Sequence, residues 1–251
     1  MCEAVLQASL QLREKMNLAI EQITGLAGAV HVTNTIDYAW PMHKQYIEKF
    51  ANFGAKTLLL GMNPGPWGMA QSGVPFGATD VVRDRMKLED LPMQTPAQAH
   101  PQRQIVGLSL SKQEVSGTRL WNLLFDHYKT VEDAFSNVYV LNHCPLLFLG
   151  ETGANITPDK IPAAVINPIL EMCDQHLVEV VEAMQIERVV GVGKYAENRA
   201  RKAFSAGKKG NGVTPSGREI EISTVWHPSP ASPLANKNGG ADWRANVIAG
   251  L

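Results

Sequence analysis

Two stretches combine side chains that can do chemistry with backbone stiff enough to hold them still. The first, "GMNPGPWGMAQSGVPFG" from Gly61 to Gly77, places the amide of Asn63 at the head of a segment with five glycines and three prolines. Glycine allows positive φ and close backbone approach, and proline fixes φ and removes a donor. A stiff loop of this kind suits a flat or phosphorylated ligand. The plainer alternative is a long surface loop of irregular turns. Against it, the loop follows "KTLLL" without a spacer, and Met62, Met69, Val74 and Phe76 have the character of partly buried residues. Taken alone, Asn63 reads most simply as a turn amide ahead of Pro64. The second stretch, "HPSPASPLANKNGGADW" from His227 to Trp243, is also proline- and glycine-stiffened. His227 is the histidine placed where a strand runs into such a loop; His31, His43, His100, His127, His143 and His176 read as ordinary core or surface histidines.

The elements that must position these residues follow from hydrophobic periodicity. A helix is expected over residues 3–24 and another through "MHKQYIEKFANF", with Pro41 ahead of it as a start signal. "KTLLLG", "NVYVLN", "RVVGV" and "IEISTVW" read as strands. Helical patterns separate them: "RLWNLLFDHYKTV", "IPAAVINPILEMCDQHLVEVVEAM" and "YAENRARKAF". Apolar strands alternating with helices imply an α/β fold, a three-layer sandwich whose central, mostly parallel four-stranded sheet is flanked by helices. Asn63 follows the first strand, Asn142 ends the second, Gly191 and Gly193 close the third, and His227 follows the fourth. In a parallel sheet those ends share one edge, where open α/β folds place ligands.

Composition bounds the rest. The chain has 251 residues, 45% of them hydrophobic and 19% charged, and suits one domain over residues 1–251. A net charge of −1 argues against coating nucleic acid by charge alone, though not against a local basic patch. Cys2, Cys144 and Cys173 lack C-x-x-C spacing, so they cannot by themselves build a structural zinc site or a four-cysteine cluster. No metal or cofactor is expected. The N-terminus lacks the basic start and unbroken apolar run of a signal peptide, and no window is long and apolar enough to span a bilayer. A cytoplasmic protein is expected, or a nuclear one if the source is eukaryotic, without membrane contact and acting as a monomer.

The two loops together resemble the paired signature motifs of the uracil-DNA glycosylase superfamily. The G-M-N-P-G form is similar to that of the single-strand-selective monofunctional branch, not the acidic G-E-A-P-G form. "LNHCPL" and "GVGKYAENRARKAF" match the same branch, and the resemblance covers roughly residues 55–245. It implies a DNA repair enzyme of base excision that turns a uracil nucleotide out of DNA into a pocket. Phe76 is implied as the residue that stacks on the base. Asn142 is implied as the base reader, pairing with uracil O4 and N3–H. Asn63 is implied to orient the attacking water, and His227 to donate to O2 of the leaving uracil anion. Met62 and Gly65 are implied to shape the pocket around uracil C5, which would admit 5-hydroxymethyluracil. No lysine stands within the first motif or beside His227, so an amine nucleophile and strand cleavage are not expected.

For DNA contact, Gly191 and Gly193 are expected to let backbone N–H groups approach a phosphate at a helix start, beside Lys194, and the resemblance points to Ser229, Pro230, Ala231, Ser232, Leu234 and Lys237 in the loop that fills the gap left by the extruded base. Family members carry an arginine just after H-P-S-P; here Ala231 and Ser232 stand instead, leaving Leu234 or Lys237 as the plug. From Lys194 to Arg218 seven basic residues face one acid, Glu197, a pattern that fits either phosphate contact or a solvated helix face. "KLEDLPMQTPAQAHPQRQIVGLSLSKQEVSGT" reads as a polar insertion without nameable chemistry, and Asn155 and Thr157 as the start of a helix. The expected activity is hydrolysis of the N-glycosidic bond of uracil in single- or double-stranded DNA, leaving an abasic site. The alternatives are a sister branch acting on mismatched thymine or deaminated purines, and a damage-binding protein without turnover.

Overall fold

The computed structural model describes residues 1–112 and 114–251. In chain order the elements are α1 (Cys2–Ile23), β1 (His31–Asn34), α2 (Thr35–Tyr38), α3 (Trp40–Phe50), β2 (Thr57–Gly61), α4 (Met69–Ser72), α5 (Val115–Tyr128), α6 (Val131–Asn137), β3 (Val138–Asn142), β4 (Leu146–Leu149), β5 (Asn155–Ile156), α7 (Ala163–Met184), β6 (Arg188–Val192), α8 (Lys194–Ala203), β7 (Gly212–Val213), β8 (Glu219–Val225), α9 (Pro233–Asn236) and α10 (Ala241–Ala249). The main sheet has the order β3-β2-β6-β8-β7. Its first four strands are parallel, as their apolar character demands: Leu58, Leu59, Leu60, Val140, Val189 and Val190 are buried and need cover on both faces. Helices supply it, with α8 packed on β6 and β8 and α6 on β3.

The sheet has five strands where four are expected. The extra one, β7, is two residues long and pairs antiparallel with the start of β8. Two residues are too few to show a period. Gly212 lets this edge lie close to Phe204, whose side chain and carbonyl a Cβ would strike.

A second, antiparallel sheet of order β1-β4-β5 was not expected. Its central strand, "LLFL", begins only four residues after β3 ends and is buried throughout. With α1, α2 and the first half of α7 it forms a second apolar cluster around Met16, Val32, Phe148 and Cys173. Helix α1 contributes a stripe at helical spacing, Leu12, Met16, Ala19 and Ile23. Asn155 lies in β5 and Thr157 precedes a single 3₁₀ turn, so the helix expected there starts only at Ala163.

Two core histidines tie stability to pH. His43 donates from Nδ1 to the Gly73 carbonyl at 2.8 Å, and burial lowers its pKa to about 4. His176 bonds Ser9 Oγ through Nε2 at 3.2 Å, and burial lowers its pKa to about 3. Unfolded, both take up protons near pH 6.5; folded, they refuse them until far lower pH. The unfolded chain therefore binds more protons in this window, and stability is greatest above it and falls as pH drops through it. Urea denaturation should show a midpoint that falls steadily from about pH 6.5 to about pH 4; a flat profile would contradict neutral burial of these rings.

Candidate active site

The site begins where β2 ends. Gly61 is the cross-strand partner of Asn142 at the end of β3. Pairing continues past the strands, with His143 N–H on the Gly61 carbonyl at 3.0 Å and Cys144 N–H on the Met62 carbonyl at 2.9 Å. A Cβ at Gly61 would overlap both Asn142 Oδ1 and the Phe76 ring. Phe76 itself is held at φ 53°, a left-handed conformation uncommon outside glycine. Trp121 Nε1–H fixes the preceding carbonyl, Pro75, at 3.1 Å, and Gly117 lacks the Cβ that would strike the carbonyl of Phe76. Strain held by its surroundings in this way is characteristic of functional sites.

These residues open on a cleft of about 430 Å³. Met62, Asn63, Gly65, Phe76 and Asn142 line it, and so do His227 and Ser229 from the far loop. The rings of Phe76 and His227 stand 6.0 Å apart between centroids. The two motifs, remote in sequence, thus share one cavity. Pro66, Trp67 and Met69 add to the first wall; Glu114 and Ser116 enter from the start of α5, and Asn155 and Thr157 from β5. None of these last four is expected at the site from local sequence pattern.

Hydrogen bonding fixes what each polar group presents. Asn63 Nδ2 faces the Leu146 carbonyl at 3.3 Å and that of Pro64 at 3.4 Å. A carbonyl can only accept, so Oδ1 is the atom left to meet a water or substrate. Asn142 is nearly buried; its Nδ2 reaches only the sulfur of Met69, at 3.2 Å, and its Oδ1 has no partner among the described residues. A buried acceptor without a donor is costly, and a ligand N–H would satisfy it. The Ser229 backbone N–H donates to His227 Nδ1 at 3.1 Å. Nδ1 must therefore hold a lone pair, which puts the proton on Nε2 of a neutral ring. Burial also holds the His227 pKa below the ordinary histidine value. Glu114 accepts from Gly117 N–H at 2.6 Å and caps α5; burial pushes its carboxyl above the usual range, against the lowering effect of that bond. Gly68 leaves room for it, since a Cβ there would lie 2.9 Å from Glu114 Cγ.

The expected phosphate contacts fare differently. Gly193 has φ 94° and backs onto His227, but its N–H is taken by the Val225 carbonyl at 2.9 Å. Gly191 serves packing: a Cβ would run into the backbone of Ala196 and Glu197 in α8. The basic stretch is largely neutralised. Glu197 pairs with Lys194 and Arg201, Asp174 with Arg199, Glu171 with Lys202 and Glu182 with Arg218. Asp174 also holds the buried His143 at 2.8 Å, bracing the turn after Asn142. Pro230, Ala231, Ser232, Leu234 and Lys237 lie outside the cleft lining. They form a tied loop: Arg119 donates to the Pro228 carbonyl and to Asn236 Oδ1, both at 3.1 Å, and Asn236 Nδ2 to the Pro230 carbonyl at 2.7 Å.

Gly61→Ala should cost about 1–3 kcal/mol through overpacking against Asn142 and Phe76, read from urea denaturation. An unchanged midpoint would mean that the two side chains have room to spare.

Comparison with known proteins bears on the family and the fold. The family model for the uracil DNA glycosylase superfamily matches residues 48–246. A "single-strand selective monofunctional uracil DNA glycosylase" of Bos taurus is 40% identical over 237 residues, covering 94% of this chain and 82% of that protein. Its Mus musculus counterpart is 39% identical over 237 residues, covering 94% and 81%. The crystal structure of wild-type SMUG2 from Pedobacter heparinus superposes with a TM-score of 0.58 at 14% identity, covering 90% of this chain and 87% of that one, a likeness of fold. By the extent of the family match and of the identity to these relatives, this chain belongs to the uracil-DNA glycosylase superfamily, in its single-strand-selective monofunctional branch.

Proposed function

We propose that the cleft takes one extruded uracil nucleotide from DNA and hydrolyses its N-glycosidic bond, releasing uracil and leaving an abasic site. The observation that carries this is the unpartnered Oδ1 of Asn142 at the bottom of a cleft flanked by Phe76 and His227. Uracil offers N3–H to that oxygen and O4 to the adjacent Nδ2. Cytosine reverses both, setting acceptor against acceptor and donor against donor. Phe76 supplies a flat apolar face for the base.

The chemistry needs few groups. As the bond from C1′ to N1 breaks, its electron pair stays with uracil and charge gathers on O2, where the Nε2–H of neutral His227 donates. One preorganised donor of this kind is worth about 3 kcal/mol of barrier. Asn63 cannot take a proton, but its Oδ1 accepts a hydrogen bond from a water and turns the water's lone pair towards C1′. The water oxygen bonds to C1′ and its proton passes to the departing base. Among the described residues lining the cleft there is no lysine to act as an amine nucleophile, in keeping with simple hydrolysis. A Cβ at Gly65 would meet only Glu114 Cγ, at 3.9 Å, so room remains on that side for the hydroxymethyl of 5-hydroxymethyluracil.

The strand is handled by the loop after His227. Of its two plug candidates, Lys237 is paired with Asp242 at 3.2 Å, whereas Leu234 is an exposed apolar side chain. Leu234 is therefore the wedge on duplex DNA, and single strands, which need no plug, are the preferred substrate. One chain supplies the whole cleft and works as a monomer.

Asn63→Ala should abolish most uracil release from a single-stranded oligonucleotide while leaving DNA affinity nearly intact; a parallel fall in binding would make Asn63 structural. His227→Ala should lower kcat about 10²–10³-fold with a much smaller change in affinity, and equal losses would contradict the anion-stabilising role. Hot alkali after incubation distinguishes turnover from binding, since only an abasic product yields strand breaks.

A further inference from the structure

We propose that Trp67, Arg103 and Lys112 form a phosphate clamp at the mouth of the cleft, gripping the backbone of the strand whose nucleotide is extruded. The proposal rests on the excision reading above. Trp67 lines the cleft. Over its ring stand two cations, Lys112 Nζ at 4.1 Å and Arg103 Cζ at 4.8 Å from the centroid. The indole face holds them by cation–π attraction but leaves their charge uncancelled. Arg103 is braced by neutral carbonyls, with Nε on Gly153 at 3.0 Å and Nη1 on Gln102 at 2.9 Å. Lys112 is exposed. Neither forms an ion pair among the described residues, whereas the cations of α8, beside His227, are paired. Glu114, the carboxyl in this wall, is turned to the α5 N-terminus, where it accepts from Gly117 N–H.

Two like charges gathered at one ring repel, and a bound anion relieves the repulsion. The opposite wall cannot supply this grip: residues 228–236 contain no basic side chain, and Lys237 is paired with Asp242. The anion that always accompanies an extruded base is its own phosphodiester. Charge-assisted contacts from Lys and Arg are the usual holders of that group. Trp67 belongs to the first motif, and Arg103 and Lys112 to the insertion between it and α5, so the clamp acts on the strand carrying the target whether or not a complementary strand is present.

The test is the salt dependence of binding to a single-stranded oligonucleotide bearing one 2′-fluoro-2′-deoxyuridine, which resists hydrolysis. Each lost phosphate contact flattens the slope of log Kd against log salt by about 0.7 on a single strand. Lys112→Gln should flatten it by about that amount and Lys112→Gln with Arg103→Gln by about twice it, while Arg103→Lys, which keeps the charge, retains the native slope. On cleavable substrate the loss should appear in KM. Slopes unchanged in both glutamine variants, or a loss confined to kcat, would overturn the clamp. If the native protein bound the analogue but released no uracil from cleavable DNA, the excision reading would fail while the slopes still reported on the clamp.

Discussion

At Gly61 the main sheet reaches its edge, and the side chain missing there lets two others share one space. Asn142 comes from the neighbouring strand, Phe76 from the return of the same loop, and both press against the Cα of Gly61. Parallel pairing of β2 with β3 sets the height of Asn142 above the sheet, and pairing of β6 with β8 brings His227 to the same edge. The base pocket is thus a consequence of strand register, with the loops adding walls to a geometry the sheet has already fixed.

The groups gathered there are mainly neutral. Asn63 and a histidine held in one tautomer present dipoles of fixed sense, oriented by backbone partners that can only accept or only donate, and Asn142 adds an amide whose Nδ2 is turned to the Met69 sulfur. Such groups cost no reorganisation when charge develops on the departing base. Along α8 the cations are cancelled at short range, so the positions of the cations elsewhere matter more than their total number. This fits a chain whose net charge is −1 yet which must hold a polyanion.

Much of this was legible in the sequence, for physical reasons that differ by element. Strands β2, β3 and β6 are apolar runs between helical patterns, β8 starts with exposed and buried residues in alternation, and the residues after all four stand out by type. Strand β4 was hidden because it begins four residues after β3 and shares its apolar character, and β5 and β7 are too short to show a period. Glu114 and Ser116 escaped because their role depends on α5 starting beside the motif loop, a tertiary fact with no local signature. The basic run from Lys194 read as either phosphate contact or helix face. Its acidic partners Asp174, Glu171 and Glu182 lie on α7, out of sequence reach, and decide for neutralisation.

The central claim is that Asn142 and His227 hold one and the same base. Titration of the native protein with free uracil, following the side-chain amide of Asn142 and the imidazole nitrogens of His227 by NMR, tests it directly. Both sets of signals should shift together with a single dissociation constant, with cytosine shifting neither. Separate constants, or a shift confined to one of the two residues, would contradict a shared grip.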